Sequence, residues 1–511
     1  LSSSSLERVL CDLNHELLCQ NWDHAKTHYE KLPRIVHSYL AYWAFMHSDD
    51  PAKHSNPNFG SDLIKRDITV LTRVTNPAAK EHGLTYVDYL TRQIVSSHFG
   101  EDDPIVYLEA SGDRGDLHRF YGAKSTPTNC TFRVYAPRAQ KITLVLEDEE
   151  LPMEQFLGTW HTTLRGDLIG KRYHYKVLGA DGIERIKSDP FSFDTTGPPS
   201  FESRVSIHPS EFPFKNRPHF PSISSGEPFN ILEVHLQSWM QKGEKPLDAA
   251  INLARHCSAV GFNTINFMPL AAVSAQRGYG YDALLPYAFS TVFKSLYEFC
   301  QFVDILHGEG LRVFLDVSLY HFSPHELGQV DFDGTSLFGK KEEPKTSPWG
   351  LALYDPSSPF VRSYLISLLD YLSFVDGFRI DAVHPLLDPS AMRDETHLPD
   401  WDPDAFSLLK ACGRHMKTYH PHTTLIAENF HPDSRHHTEL MQFSGRWDNG
   451  AYHFRECFKK NALTPGEFIA ANSSMYEGGR VCTYSSHDDP LSTWAAGSEH
   501  LIHAATFMLP G

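Results

Sequence analysis

The chain has 511 residues, 41% of them hydrophobic and 21% charged, a globular composition long enough for two to four domains. Its net charge of −17 argues against nucleic acid or an anionic membrane as the main partner and fits a neutral substrate. No apolar run is long enough to span a bilayer, and the opening "LSSSSLERVL" lacks the basic-then-apolar order of a signal peptide and an initiator Met.

The eight cysteines, Cys11, Cys19, Cys130, Cys257, Cys300, Cys412, Cys457 and Cys482, form no C-x-x-C pair and no metal-ligand spacing. Scattered this way they read as reduced thiols of a cytoplasmic protein. Thirty histidines is a high count, but "SRHH" at Ser434–His437 lacks spaced cysteine or carboxylate companions and reads as hydrogen-bonded surface. No metal site and no cofactor is expected.

Residues 1–112 form the first predicted unit, a helical N-terminal region. "SSLERVLCDLNHELLCQ" places Leu6, Val9, Leu10, Leu13, Leu17 and Leu18 at helical spacing behind capping serines. The second unit, 113–226, is a β-sandwich. "CTFRVYAP", "KITLVLED" and "KRYHYKVLG" alternate like strands between proline and glycine punctuation. "KSDPFSF" and "GPPSFESRVS" follow as an extended linker.

In the third unit, 227–511, apolar strands alternate with helices. The clearest strands are "FNILEVHLQSW", "NTINFMPL", "LRVFLDVSLY", "DGFRIDAV", "TLIAENF" and "RVCTYSSHD". Helix-like stretches such as "DAAINLARHCSAVG" and "SLYEFCQFVDILHGEG" lie between them. Strands this apolar imply a parallel sheet covered by helices, with polar residues at the C-terminal strand ends where a (β/α)8 barrel builds its site. An open doubly wound sheet would also put ligands there, but no glycine-rich phosphate loop follows the first strand.

Those ends carry carboxylates: Asp316, Asp381, Glu428 and Asp488. A single aspartate at a strand end can be a helix cap, whereas four on consecutive strands converge at a cost that function must use. Convergent carboxylates suit glycoside chemistry, one attacking the anomeric carbon and one acting as acid and then base. In "DGFRIDAVH", Arg379 and Asp381 point to the same face, so Arg379 is expected to keep Asp381 charged and aimed.

"DVSLYH", "GFRIDAV", "IAEN" and "SSHD", in that order, resemble the four sequence regions of the α-amylase superfamily, glycoside hydrolase family 13. The resemblance implies that Asp381 is nucleophile, Glu428 acid/base and Asp488 transition-state stabiliser. It implies that Asp316, His321, Arg379 and His487 orient the nucleophile or hold sugar hydroxyls, and that Tyr281 in "GYGYD" stacks on the sugar. "LEVHLQSW" and "HFSPHELGQVDFDGTSLF" are similar to the family's glycogen branching enzymes. "GAK", "TFRVYAPRA" and "KSDPFSF" resemble the immunoglobulin-like carbohydrate-binding module, family 48, that precedes such barrels.

The chain departs from the branching-enzyme pattern at Tyr279–Asp282, where Trp-Gly-Tyr-Gln is usual. "GYD" and "DAVH" look more like malto-oligosyltrehalose trehalohydrolase, although Ser486–Asp489 replaces that enzyme's Asn-His-Asp-Gln. "LEDEELPMEQF" stands where the module often bears a sugar-stacking Trp. The chain ends at "TFMLPG", before the family's eighth strand, so a barrel truncated there is expected. The implied activity is α-1,4-glucan branching on glycogen, amylose or maltodextrin. A trehalohydrolase or other glucan hydrolase, and an inactive glucan-binding protein, are the alternatives.

Overall fold

The computed structural model describes residues 113–156, 158–216, 229–274, 279–289, 292–390, 402–430, 434–448 and 480–482. The predicted helical region 1–112 and the expected truncation before an eighth strand lie outside the described residues.

Two antiparallel sheets make the sandwich. One runs in the order Gly122–Ser125, Asn129–Tyr135, Thr159–Arg165, Glu154–Phe156. The other runs Glu149–Pro152, Lys141–Leu146, Arg172–Leu178, Glu184–Lys187. Arg172–Leu178 alternates as its sequence predicts, with Tyr173, Tyr175 and Val177 buried, and the Phe132 ring meets Tyr173 at 5.0 Å. The "LEDEELPMEQF" stretch forms two short strands, the first with exposed glutamates and no aromatic face.

The expected linker is instead packed structure. Ser203–Arg204 pairs with Arg172–Tyr173 and extends the second sheet. Asp189 of "KSDPFSF" is fully buried, accepting hydrogen bonds from Tyr173 Oη at 3.0 Å, Tyr175 Oη at 2.9 Å and the Phe191 amide at 2.8 Å. Buried Lys187 donates through Nζ to the Glu326 and Val330 carbonyls, both at 2.5 Å. A buried ammonium needs such acceptors, which ties the segment to the barrel.

Among the described residues, seven barrel strands run parallel in chain order: Ile231–Val234, Thr264–Phe267, Arg312–Ser318, Gly377–Asp381, Thr424–Glu428, Gly445–Asp448 and Arg480–Cys482. All four residues of the second strand and all five of the fourth are buried, because helices cover one face and barrel contents the other. The first strand is shorter than predicted, since Leu236–Trp239 turns into a helix. The sixth, "GRWD", was not anticipated. The helices Pro246–Val260, Leu296–Gly308, Pro359–Tyr371 and Pro403–Tyr419 return the chain between strands. Ser295, Ser358 and Asp402 cap the last three by accepting amide hydrogen bonds at their N-termini.

Sandwich and barrel share one hydrophobic core. The Pro359–Tyr371 helix forms the seam: Tyr135 meets Phe360 at 4.5 Å, Phe191 meets Tyr364 at 5.0 Å, and Phe193 stacks on Tyr371 at 4.6 Å. Phe332–Thr335, within "QVDFDGTSLF", reinforces it. Asp333 accepts from the Arg138 amide at 3.1 Å, and its carbonyl accepts from the Ala180 amide at 2.8 Å.

Candidate active site

Parallel pairing aligns the functional side chains. The third strand sets Asp316 opposite Arg379 and Ser318 opposite Asp381, and the fifth sets Ala427 opposite Ile380, one residue before Glu428. Asp316, Arg379, Asp381 and Glu428 therefore emerge at one end of the sheet, the C-terminal end.

Arg379 is the hub. Nη1 donates to Asp316 Oδ2 at 2.5 Å and to Tyr281 Oη at 3.2 Å, and Nη2 donates to Glu428 Oε1. Asp381 Oδ1 lies farther, 3.6 Å from Nη1. Tyr281 Oη donates to Asp316 Oδ2 at 2.8 Å. Arg379 is 2% exposed. Burial disfavours its charge, but Asp316 and Glu428 outweigh that and raise its pKa well above the ordinary value.

The closest partners of Arg379 are Asp316 and Glu428; it also draws the Asp381 pKa down, as the sequence suggests, but other influences outweigh it. Burial first, then the Glu428 and Asp316 carboxylates, push the Asp381 pKa well above the usual carboxylate range, and a hydrogen bond to Glu428 adds to the shift. Burial also lifts Asp316, to about 6, against the pull of Arg379. Asp381 therefore holds a proton more readily than an isolated carboxylate does.

Local backbone fixes the rest. Ala382, directly after Asp381, takes a left-handed conformation at φ 55°, and its amide donates to Glu428 Oε2 at 2.8 Å. A non-glycine residue there is strained, and the strain is spent on orienting Glu428. Gly280 sits at φ 99°, and a Cβ on it would lie 2.4 Å from the Pro269 carbonyl. Only glycine fits, so Tyr281 is delivered to Asp316. His321 is 3% exposed, its Nε2 is 3.1 Å from the Tyr281 carbonyl, and burial lowers its pKa to about 4. Asp316 Oδ1 and His321 Nδ1 have no hydrogen-bond partner among the described residues.

An apolar cavity lined by Leu270, Pro286, Phe289 and Val317 adjoins Tyr281 and Asp316. The structure thus brings together Tyr281, Asp316, His321, Arg379, Asp381 and Glu428. Asp488 and His487 lie outside the described residues.

Two contributors escaped the sequence reading. Trp447, on the unanticipated sixth strand, holds its ring 5.2 Å from the Arg379 guanidinium carbon. Glu233, on the first strand, adds negative potential at Asp316. The strand pattern of "ILEV" was legible, but the inward direction of its glutamate needs the register.

Residues 120–192 match the model of Carbohydrate-binding module 48 (Isoamylase N-terminal domain). The chain is 29% identical over 376 residues to the 1,4-alpha-glucan branching enzyme GlgB of Lactobacillus acidophilus, covering 68% of this chain and 57% of the relative. It is 31% identical over 285 residues to the GlgB of Rhodococcus jostii, covering 53% and 38%. The chain therefore spans about half the length of the curated relatives it matches. A crystal structure of a Salmonella typhimurium protein provisionally named an alpha amylase superimposes with a TM-score of 0.60 at 21% identity, covering 76% of this chain and 70% of that one. That likeness shows the fold: a carbohydrate-binding module followed by a catalytic-type barrel.

Proposed function

From a chain that resembles glycoside hydrolase family 13, both in its family 48 module and in its strand-end motifs, we propose a 1,4-α-glucan branching enzyme acting by retaining double displacement. The observation that carries the reading is the convergence of Asp381 and Glu428 on the buried Arg379.

Double displacement uses one carboxylate as nucleophile and a second carboxyl group, about 5–5.5 Å away, as acid and then base. Attack on the anomeric carbon needs Asp381 ionised and the proton on Glu428. In that step Glu428 would separate from Arg379 to meet the glycosidic oxygen. Asp381 forms the covalent glucosyl ester as the C–O bond breaks and Glu428 protonates the leaving 4-hydroxyl. Glu428 then takes the proton of an acceptor 6-hydroxyl, which displaces Asp381 and closes the α-1,6 branch. Asp316 and Arg379 hold Tyr281, whose ring would support the sugar's apolar face. His321 would bind a sugar hydroxyl, and the resemblance assigns Asp488 to the oxocarbenium-like state and His487 to sugar binding.

The substrate class is α-1,4-glucan: glycogen, amylose or maltodextrin. No helix of the described residues is long and apolar enough to cross a membrane. Buried free Cys130, Cys257, Cys300 and Cys412 support a cytoplasmic setting.

The test is incubation with amylose, following iodine absorbance and reducing ends together, with Asp381→Asn as control. Falling iodine colour without new reducing ends is expected. Reducing ends rising in step with the colour loss would mean a hydrolase. No change relative to Asp381→Asn, on amylose and on maltooligosyl-trehalose, would leave a glucan-binding protein. For an active enzyme, Asp381→Asn should lower turnover by roughly 10^4-fold or more.

A further inference from the structure

A second cluster of titratable groups lies on the Pro359–Tyr371 and Pro403–Tyr419 helices, near their C-terminal ends. Asp370 is the penultimate residue of the first, His415 lies in the last two turns of the second, and His420 caps it. Each helix runs back from the C-terminal end of one barrel strand to the start of the next, so the cluster sits at the opposite end of the barrel from Arg379.

His415 Nε2 is 2.8 Å from Asp370 Oδ1, and His420 Nε2 is 2.7 Å from the same oxygen. All three donor atoms lie within 4.8 Å of one another. The other carboxylate oxygen is already fixed, since His118 Nε2 is 2.8 Å from Asp370 Oδ2. His118 Nδ1 in turn faces His208 Nε2 at 2.8 Å, and the Ser210 amide donates to His208 Nδ1 at 3.1 Å. With Nδ1 of His208 accepting, its proton sits on Nε2 and goes to His118 Nδ1. His118 then carries its own proton on Nε2, toward Asp370.

We propose that Asp370, His415 and His420 bind one divalent transition-metal ion of the zinc, cobalt or nickel type. Two imidazoles and a carboxylate are the borderline donor set these ions favour over magnesium or calcium. The His118–His208 relay is the kind of outer partner that orients a metal-binding carboxylate. Access fits as well: the Asp370, His415 and His420 side chains are 10%, 11% and 23% exposed, so an ion and a water can reach them. A Cβ on Gly115 would lie 2.1 Å from His415 Cε1, so glycine there leaves the imidazole its place.

Metal bonds of about 2.0–2.2 Å at tetrahedral angles put donor atoms roughly 3.3 Å apart. The two N···O contacts would open by about half an ångström, and each Nε2 proton would move to Nδ1. The ion would join two barrel helices and, through His118, the segment that enters the sandwich. Its role is structural and independent of the reaction proposed above.

The test is cobalt titration of the chelator-stripped full chain near neutral pH, followed by visible absorption, with thermal unfolding in zinc. Wild type should show four-coordinate cobalt bands at one equivalent and a zinc-dependent rise in unfolding midpoint. His415→Ala and His420→Ala should weaken this binding by roughly 100-fold or more, and His118→Gln by about 10–100-fold. Should His415→Ala fold poorly by circular dichroism, His420→Ala decides, since that residue lies beyond the helix. Cobalt bands and a zinc shift unchanged in His420→Ala would overturn the proposal, as would wild type that binds no cobalt. Either result would leave the cluster a hydrogen-bonded hub.

Discussion

His321 shows how one buried side chain contributes to a pH response. Its folded pKa is lowered to about 4 from 6.5, chiefly by burial, with the Tyr281 carbonyl only partly opposing. A depressed folded pKa means that the unfolded chain takes up the proton first as pH falls. The stability His321 contributes is therefore complete above 6.5 and is lost as pH drops through about 4. The shift corresponds to about 3 kcal/mol. Urea unfolding of wild type and His321→Gln between pH 7 and 4 should show the wild type losing that much relative to the variant. Parallel curves would mean that the imidazole is solvated at low pH. The residue scale is also where the sequence was most and least legible. Asp381, Glu428 and Arg379 were recognisable from "GFRID" and "IAEN". Which carboxylate the guanidinium grips was not, because alternation gives the face of a side chain but not its reach. Arg379 extends past Asp381 to Asp316 and Glu428 on neighbouring strands.

At the scale of elements, apolar strands were readable as runs such as "RVFLDVS", and amphipathic helices because their periodicity is written over ten or more residues. The Gly445–Asp448 strand was not. Four residues with an Arg, a Trp and an Asp show neither alternation nor an apolar run, and only pairing with Glu428 and Cys482 makes them a strand. "KSDPFSF" failed for a different reason: proline and polar residues looked like a linker, yet Lys187 and Asp189 find buried partners on distant segments. Helix ends are easier to test. Asp402 accepts from the Asp404 and Ala405 amides, each at 3.0 Å, and pairs with Lys340 at 3.0 Å. Asp402→Ala should destabilise by about 1–2 kcal/mol in denaturant unfolding. Asp402→Asn keeps the cap and loses the ion pair, so it should cost less than about 1 kcal/mol. Equal losses would make the ion pair, not the cap, the important contact.

Across the described residues, the sandwich and the barrel share one core because the Pro359–Tyr371 helix packs against both. Tyr364 makes the point: its hydroxyl donates to the Pro190 carbonyl at 3.0 Å and accepts from Gln329 Nε2 at 2.7 Å, while its carbonyl accepts from Tyr287 Oη at 2.7 Å. Phe193, 4% exposed and stacked on Tyr371, also lies under the Lys124 ammonium at 4.0 Å. Phe193→Ala should cost about 3–5 kcal/mol. It should lower the midpoints reported by sandwich Trp160 and barrel Trp239 together. A variant whose sandwich melts first while the barrel signal stays in place would show two separable domains. No sequence pattern announced this seam, since each aromatic looks like the core of its own unit.

The same seam has a consequence for synthesis. The Arg114 amide donates to Ser363 Oγ and the His118 amide to Ser367 Oγ, each across 249 residues. A ribosome adding about 5–20 residues per second needs roughly 12–50 s to make that stretch. For much of that interval Tyr135 and Phe193, both buried in the finished protein, have no helix to dock on. The nascent sandwich must wait with an apolar flank open, so a chaperone that covers such flanks would act during translation, before the barrel exists.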